Sequence, residues 1–238
     1  MIQFYAPDIE STRRLPESDS AHAVRVLRMK PGDGLTVIDG RGTRFRCRLT
    51  DANSKHAEVE IIGSESIPSF WSAEITIAVA PTKNMDRMEW MTEKLTEIGF
   101  DRLVPLLCRH SERKEIKPER LEKIAVSAMK QSLKAVLPEI CEITPFRNFI
   151  SGDRSEQRFI AYCDHSIPRR LLSELYQPEK SVTLLIGPEG DFSPEEIDAA
   201  LKAGYQPVSL GDARLRTETA AITGCDTMHI INQLKTLQ

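Results

Sequence analysis

No two of the five cysteines, Cys47, Cys108, Cys141, Cys163 and Cys225, form a Cys-x-x-Cys pair. Their odd number and wide spacing exclude a disulfide framework and a zinc ribbon, and they fit a reducing cytoplasm. Neither His110 nor His165 has metal-ligand spacing to a cysteine or carboxylate, so no metal is expected. Residues 1–10 lack a basic segment followed by an apolar run, which argues against a signal peptide and for a cytoplasmic location. The longest apolar runs are far too short to span a bilayer, so no membrane is expected either. No internal repeat or low-complexity tract is present. The phosphate-binding patterns are missing as well: there is no G-x-G-x-x-G after a strand and no loop ending in Gly-Lys-Ser/Thr.

What remains is the profile of an ordinary soluble globular protein, with 238 residues, 40% hydrophobic, 28% charged and a net charge of -3. The chain changes character near residue 70. Before it, short strands dominate. Leu35–Ile38 leads into Asp39-Gly40-Arg41-Gly42, a hairpin signal, and Thr43–Leu49 then alternates. Phe45, Cys47 and Leu49 fall on one face, and Arg44, Arg46 and Arg48 on the other. Ala57–Ile62 reads as a further strand and Ser64–Ser72 as a linker. This implies a small β-barrel or sandwich over residues 1–70.

Residues 71–238 alternate strands with helices, the pattern of an α/β domain with a mostly parallel sheet. The spacing predicts strands at Glu74–Ala80, Arg102–Cys108, Phe159–Cys163, Val182–Ile186 and Pro207–Leu210. Between them, Asn84 caps a helix carrying Met88, Met91, Leu95 and Ile98, with Gly99 past its end. Met85, Met88, Met91 and Trp90 are expected to be core. Pro118 opens a second helix. Ser193-Pro194-Glu195-Glu196 carries a capping box, and Thr219–Asn232 forms the last helix.

Ligands of open α/β sheets bind beyond the carboxyl ends of the strands. Three strand ends here carry unusual residues: Pro81-Thr82-Lys83, Gly187-Pro188-Glu189-Gly190, and the stretch Gly211–Thr219. Glycines there expose peptide groups to a planar ligand. Glu189 and the adjoining Asp191 disfavour a phosphate and tolerate a cation. A sulfonium cofactor suits that electrostatic character.

These residues also carry a resemblance. Leu185-Ile186-Gly187-Pro188-Glu189-Gly190, Phe192-Ser193-x-x-Glu196, Leu210-Gly211 and Leu215-Arg216-Thr217-Glu218-Thr219-Ala220 resemble the RsmE family of small-subunit ribosomal RNA uridine-N3 methyltransferases. His22 with Val26-Leu27-Arg28, Lys94 with Glu97-Ile98-Gly99, and Gln131-Ser132 with Pro138-Glu139 agree, so the match spans essentially the whole chain. The sequence departs at Asp191, where a second glycine is usual. It departs again at Lys134, where arginine is common, and in the filling Asp212-Ala213-Arg214.

The resemblance implies an N-terminal PUA-like RNA-binding β-barrel and a C-terminal SPOUT domain threaded into a trefoil knot. It implies a homodimer that binds S-adenosylmethionine and methylates N3 of one uridine, number 1498 in the usual numbering, in 16S ribosomal RNA of the small subunit. The cofactor-binding residues it implies are Ile186, Gly187, Pro188, Glu189, Gly190, Leu210, Gly211, Leu215, Arg216, Thr217, Thr219 and Ala220.

Local charge supports an RNA partner on its own terms. Residues 13–48 hold nine Arg or Lys against four Asp or Glu, a local charge of +5 on a chain of net -3. Arg14, His22, Arg25, Arg28, Arg44 and Arg46 are the expected RNA contacts, with Lys83 and Arg109 beside the proposed site. His22 reads equally as a structural residue of the barrel. Removing the N3 proton spreads negative charge over the uracil oxygens, and Arg216 is the first candidate to stabilise it, with Arg214 behind it. Glu218 and Glu189 are candidate bases; Glu218 reads alternatively as a helix cap or a partner of Arg216. Two other functions fit the sequence: a SPOUT enzyme acting on a 2′-hydroxyl or on transfer RNA, and a non-catalytic RNA-binding protein.

Overall fold

The computed structural model describes residues 2–163 and 168–236; His165 lies outside them. The chain forms two compact units, Met1–Phe70 with Val126–Leu137, and Trp71–Ala125 with Pro138–Gln238.

The first unit is built on one sheet of strands β1 (Gln3–Tyr5), β2 (Gly34–Ile38), β3 (Thr43–Asp51) and β4 (Glu58–Ser66), in that order. β1 and β2 are parallel; the other two pairs are antiparallel. The outer edge of β4 is extended by hydrogen bonds from Leu15 N to Ala57 O and from Val59 N to Arg13 O. Phe45, Cys47 and Leu49 of β3 are buried, as the alternation requires. β4 runs four residues beyond the expected Ile62, because Ser64–Ser66 pair with Thr43–Phe45. The expected linker therefore starts as strand.

Two short helices, α1 (Ile9–Thr12) and α2 (Glu17–Ala21), and a π-helical turn at His22–Val26 precede β2. The segment from 126 to 137 joins this unit, although the sequence reading puts it in the second domain. Met129 and Ala135 pack on Ile38. Lys130 Nζ lies 2.5 Å from Asp19 Oδ1, and the Lys134 carbonyl accepts from Gln3 Nε2.

The second unit holds an eight-stranded sheet in which every pairing is parallel. In chain order its elements are β5 (Ile75–Val79), α3 (Met85–Ile98), β6 (Arg102–Leu107), the start of α4 (Pro118–Gln131), whose residues from Val126 on belong to the first unit, β7 (Glu139–Ile140), β8 (Thr144–Pro145) and α5 (Phe146–Gly152). There follow β9 (Gln157–Ala161), β10 (Arg170–Leu171), α6 (Leu172–Leu175), β11 (Val182–Ile186), α7 (Pro194–Lys202), β12 (Gln206–Ser209) and α8 (Thr217–Thr236). The strand order is β10-β12-β9-β11-β5-β6-β7, and β8 pairs with β6.

β5 and β11 lie side by side and are buried at every residue, as continuous apolar runs covered on both faces should be. α3 and α8 cover one face with Met88, Met91, Leu95, Cys225 and Met228. α5 and α7 cover the other with Phe146, Ile150, Ile197 and Ala200. Trp90 departs from expectation: it is about half exposed, at 47%, because it falls on the outward face of α3.

Both expected side-chain caps are present. Asn84 accepts from Asp86 N, and Ser193 with Glu196 forms a complete capping box. Each cap contributes about 1 kcal/mol. α8 begins at Thr217, two residues before the expected start.

Candidate functional site

Because the strands run parallel, their carboxyl ends gather the loops 80–84, 108–114, 187–191 and 210–216 at one end of the sheet. Loop 187–191 follows β11 directly. Ile186, Gly187 and Pro188 are buried, whereas Glu189 and Gly190 are exposed. Pro188 O accepts from Asp191 N at 2.9 Å and closes a turn.

Asp191 stands where glycine is usual and holds a left-handed φ of 63°. Its own carboxylate offsets the strain: Oδ1 accepts from Phe192 N and Oδ2 from Cys163 N, both at 2.8 Å. A β-carbon at Gly190 would lie 3.2 Å from the His110 β-carbon, a tight contact that any larger residue would make only if His110 shifted. His110 Nδ1 in turn lies 3.1 Å from Asp191 O.

The second motif stretch meets this loop. Thr217 Oγ1 donates to Gly187 O at 3.1 Å, joining the start of α8 to the end of β11. Helix packing adds to this: a β-carbon at Gly224 would lie 2.3 Å from Leu184 Cδ2. Between β12 and α8, residues 211–214 are exposed. Gly211 has φ 116° and faces open space, so the backbone there is accessible to a ligand. Leu215, Thr219 and Ala220 are half-buried, Leu210 likewise, and Arg216 is exposed at the entry to α8.

Glu218 is buried, with 5% of its surface exposed. Its Oε1 lies 3.7 Å from Arg87 Nε, and its Oε2 is buried with no hydrogen-bond partner. Among the described residues, the cation beside Glu218 is Arg87 and not Arg216. Sequence reading missed Arg87, because nothing local links the first turn of α3 to the first turn of α8. An orphaned buried acceptor next to Thr217 fits a ligand that brings a donor, since a buried carboxylate oxygen left unmatched is costly.

Glu189 is engaged from the other side. Its Oε1 accepts from Lys83 N at 3.0 Å. Arg113 donates from Nε to Thr82 O at 3.2 Å and from Nη2 to Lys83 O at 2.7 Å. Lys83 Nζ pairs with Glu112 at 2.9 Å, a hydrogen bond that holds the ammonium above its ordinary range. Arg109 pairs with Glu195 at 3.1 Å, and its backbone N donates to Glu196, the acid of the capping box. The two cations expected to meet RNA here are thus already partnered by acids.

The arginines of the first unit divide similarly. Arg14 pairs with Glu58 at 2.8 Å, Arg44 with Glu65 at 3.5 Å and Arg48 with Glu60 at 3.7 Å. Arg25 donates to Ser54. Arg46 lies over Gly63 and makes no ion pair among the described residues. Arg28 is exposed, with φ 55°. The His22 ring stands 5.9 Å from that of Phe4 in a tilted contact.

A cleft of about 510 Å³ lies at the opposite, amino ends of β5, β6 and β11, lined by Thr76, Arg102, Ser155 and Thr183 among others. Ser155 and Thr183 bond to each other there and Arg102 bonds to Glu139. The described residues contain no group of three or more His, Cys, Asp or Glu placed to hold a metal. No described helix is long and apolar enough to cross a membrane.

Known proteins share this arrangement. Residues 70–229 match the model of an RNA methyltransferase domain, and residues 15–62 that of an RNA methyltransferase PUA domain. A Synechocystis protein described as ribosomal RNA small subunit methyltransferase E is 30% identical over 220 residues, 89% of this chain and 71% of that protein. The crystal structure of a probable rRNA-methyltransferase from Porphyromonas gingivalis is 48% identical, with a TM-score of 0.94, covering 99% of this chain and 100% of the other. A Neisseria gonorrhoeae ribosomal RNA small subunit methyltransferase E, solved bound to S-adenosyl methionine, is 28% identical with a TM-score of 0.83, covering 100% and 98%.

Proposed function

The chain belongs to the ribosomal RNA small subunit methyltransferase E family, and from that premise we propose that it transfers a methyl group from S-adenosylmethionine to N3 of a uridine in 16S ribosomal RNA, uridine 1498 in the usual numbering. The observation that carries the reading is the bond between Thr217 and Gly187, which joins the two glycine-bearing motifs into one site. The Neisseria relative in complex with S-adenosyl methionine supports the cofactor. We take Ile186–Gly190, Leu210, Gly211, Leu215–Thr217, Thr219 and Ala220 as its binding residues. The family resemblance further supports a homodimer, a knotted C-terminal segment and a cytoplasmic enzyme acting on the small subunit.

The local chemistry fits. When bound, S-adenosylmethionine supplies an electrophilic methyl carbon on a cationic sulfur. A phosphate-free, positively charged ligand suits a loop that carries Glu189 and Asp191 and has no P-loop lysine. The buried, unmatched Glu218 Oε2 offers an acceptor for a ligand N–H. Arg216 is exposed and free to turn toward a uracil ring, where its guanidinium stabilises negative charge on O2 and O4 as N3 loses its proton. Glu189 is held by Lys83 N, which favours a bracing role for it. Proton acceptance at N3 then falls to Glu218 or to solvent. The exposed Arg25, Arg28 and Arg46 are the best-placed phosphate contacts of the first unit, ahead of the acid-paired Arg14 and Arg44; Lys83 and Arg109 would have to exchange their acids for phosphate, and His22 is the weakest contact.

The test is methylation of purified 16S RNA and of assembled small subunits with methyl-labelled cofactor, the product mapped by mass spectrometry. N3-methyluridine at a single site is expected. A 2′-O-methyl product, methylation of transfer RNA instead, or no cofactor binding at millimolar ligand in calorimetry would overturn the proposal.

A further inference from the structure

We infer that Arg113 is a positioning residue for the 187–191 loop, acting through the Thr82–Lys83 turn and Glu189. The inference rests on the reading of that loop as the cofactor site. Three strand ends meet here. The turn after β5 presents two carbonyls, of Thr82 and Lys83, and the planar Arg113 fork from the loop after β6 takes both. The same turn presents one N–H, of Lys83, and Glu189 of the loop after β11 takes it. The Thr82–Lys83 peptide unit is thus grasped from opposite sides, its Thr82 carbonyl by Arg113 and its Lys83 N–H by Glu189.

Two further bonds hold the rest of the assembly. Thr82 Oγ1 donates to Asn84 O at 2.8 Å, fixing the turn to the cap of α3. The Lys83 Nζ–Glu112 pair ties the turn a second time to the residue before Arg113. Glu189 is exposed between two anchored ends of its loop, Gly187 held by Thr217 and Asp191 held through its own carboxylate, so the placement of the Glu189 side chain follows that of Lys83 N. Without the Arg113 fork the buried Thr82 keeps its bond to Asn84 O, but Lys83 is left with the exposed pair to Glu112, which long side chains hold weakly. The loop then samples more conformations, and a ligand that requires one of them binds less tightly in proportion to its population.

Hydrogen exchange of the ligand-free protein tests the clasp directly. In Arg113→Ala, amides of residues 189–191 should exchange about tenfold faster, with no comparable change in α7 or in β11 away from the loop. Arg113→Lys, which supplies one cation but no fork, should fall between Arg113→Ala and the parent. Glu189→Ala should reproduce the faster exchange, and the double variant should be no faster than either single, because both remove the same chain of contacts. In calorimetry, S-adenosylmethionine should bind Arg113→Ala about tenfold more weakly. Unchanged exchange in Arg113→Ala, or additive effects in the double variant, would overturn the inference. Failure of the parent protein to bind S-adenosylmethionine would instead overturn the proposed function, and the exchange result would still decide the clasp.

Discussion

A single buried oxygen, Oε2 of Glu218, separates two kinds of residue at this site. Glu218 is fixed and charge-paired to Arg87, while Arg216, two residues earlier, is exposed and uncommitted. Their tasks differ accordingly: one offers a stationary acceptor, the other a cation that can follow developing charge. Arg216→Ala should therefore leave the cofactor dissociation constant within about threefold of the parent and lower turnover by about 10²-fold, the scale set by loss of one charge-stabilising donor. Calorimetry and single-turnover methylation check the two halves; normal turnover would remove Arg216 from the reaction. At this scale the sequence was silent about partners. Glu218 stands in a motif that was legible in the sequence. Its pairing with Arg87, like the hold of Lys83 N on Glu189, was not, because each joins residues brought together only by the order of strands in the sheet.

Among the elements, those with a clear period were legible and those formed by context were not. Val182–Ile186 matched to the residue because a short run with four apolar residues ends in a glycine-proline turn. The two-residue strands β7, β8 and β10 carry no such pattern; they exist because the edges of a parallel sheet accept short partners. β3 shows both sides of the lesson. Its alternation gave the buried face correctly, yet the arginines opposite were read as a bare basic stripe, when Glu60 and Glu65 of β4 stand across from Arg48 and Arg44.

The buried face of β3 has a consequence for pH. Burial pushes the Cys47 thiol from its ordinary 9.0 up to about 11. The folded-state value is the higher one, so the stabilisation is complete below pH 9 and is lost as the pH rises through about 11, the unfolded chain ionising first. Denaturant midpoints measured from pH 7 to 11 should fall less steeply between pH 9 and 11 for Cys47→Ala than for the parent. Equal slopes would mean that this thiol ionises as readily in the fold as outside it.

For the whole molecule, the measurable consequence of a ligand site is linkage. At a hundredfold excess over its dissociation constant, S-adenosylmethionine should stabilise the fold by about 2.7 kcal/mol, provided the unfolded chain does not bind it. Thermal unfolding with and without cofactor checks this, and an unchanged midpoint at saturating ligand would contradict binding to the native state.

The strand order sets a further condition on how the chain is made. β5 finds one neighbour at once in β6, but its other neighbour is β11, and Ile75 pairs with Val182 about a hundred residues later. At synthesis rates of roughly 5–20 residues per second, the apolar edge of β5 stays unpaired for about 5–20 s. Through that interval the nascent chain carries an open template for any passing strand, so the parallel sheet that builds the site also makes its own birth the step most exposed to aggregation.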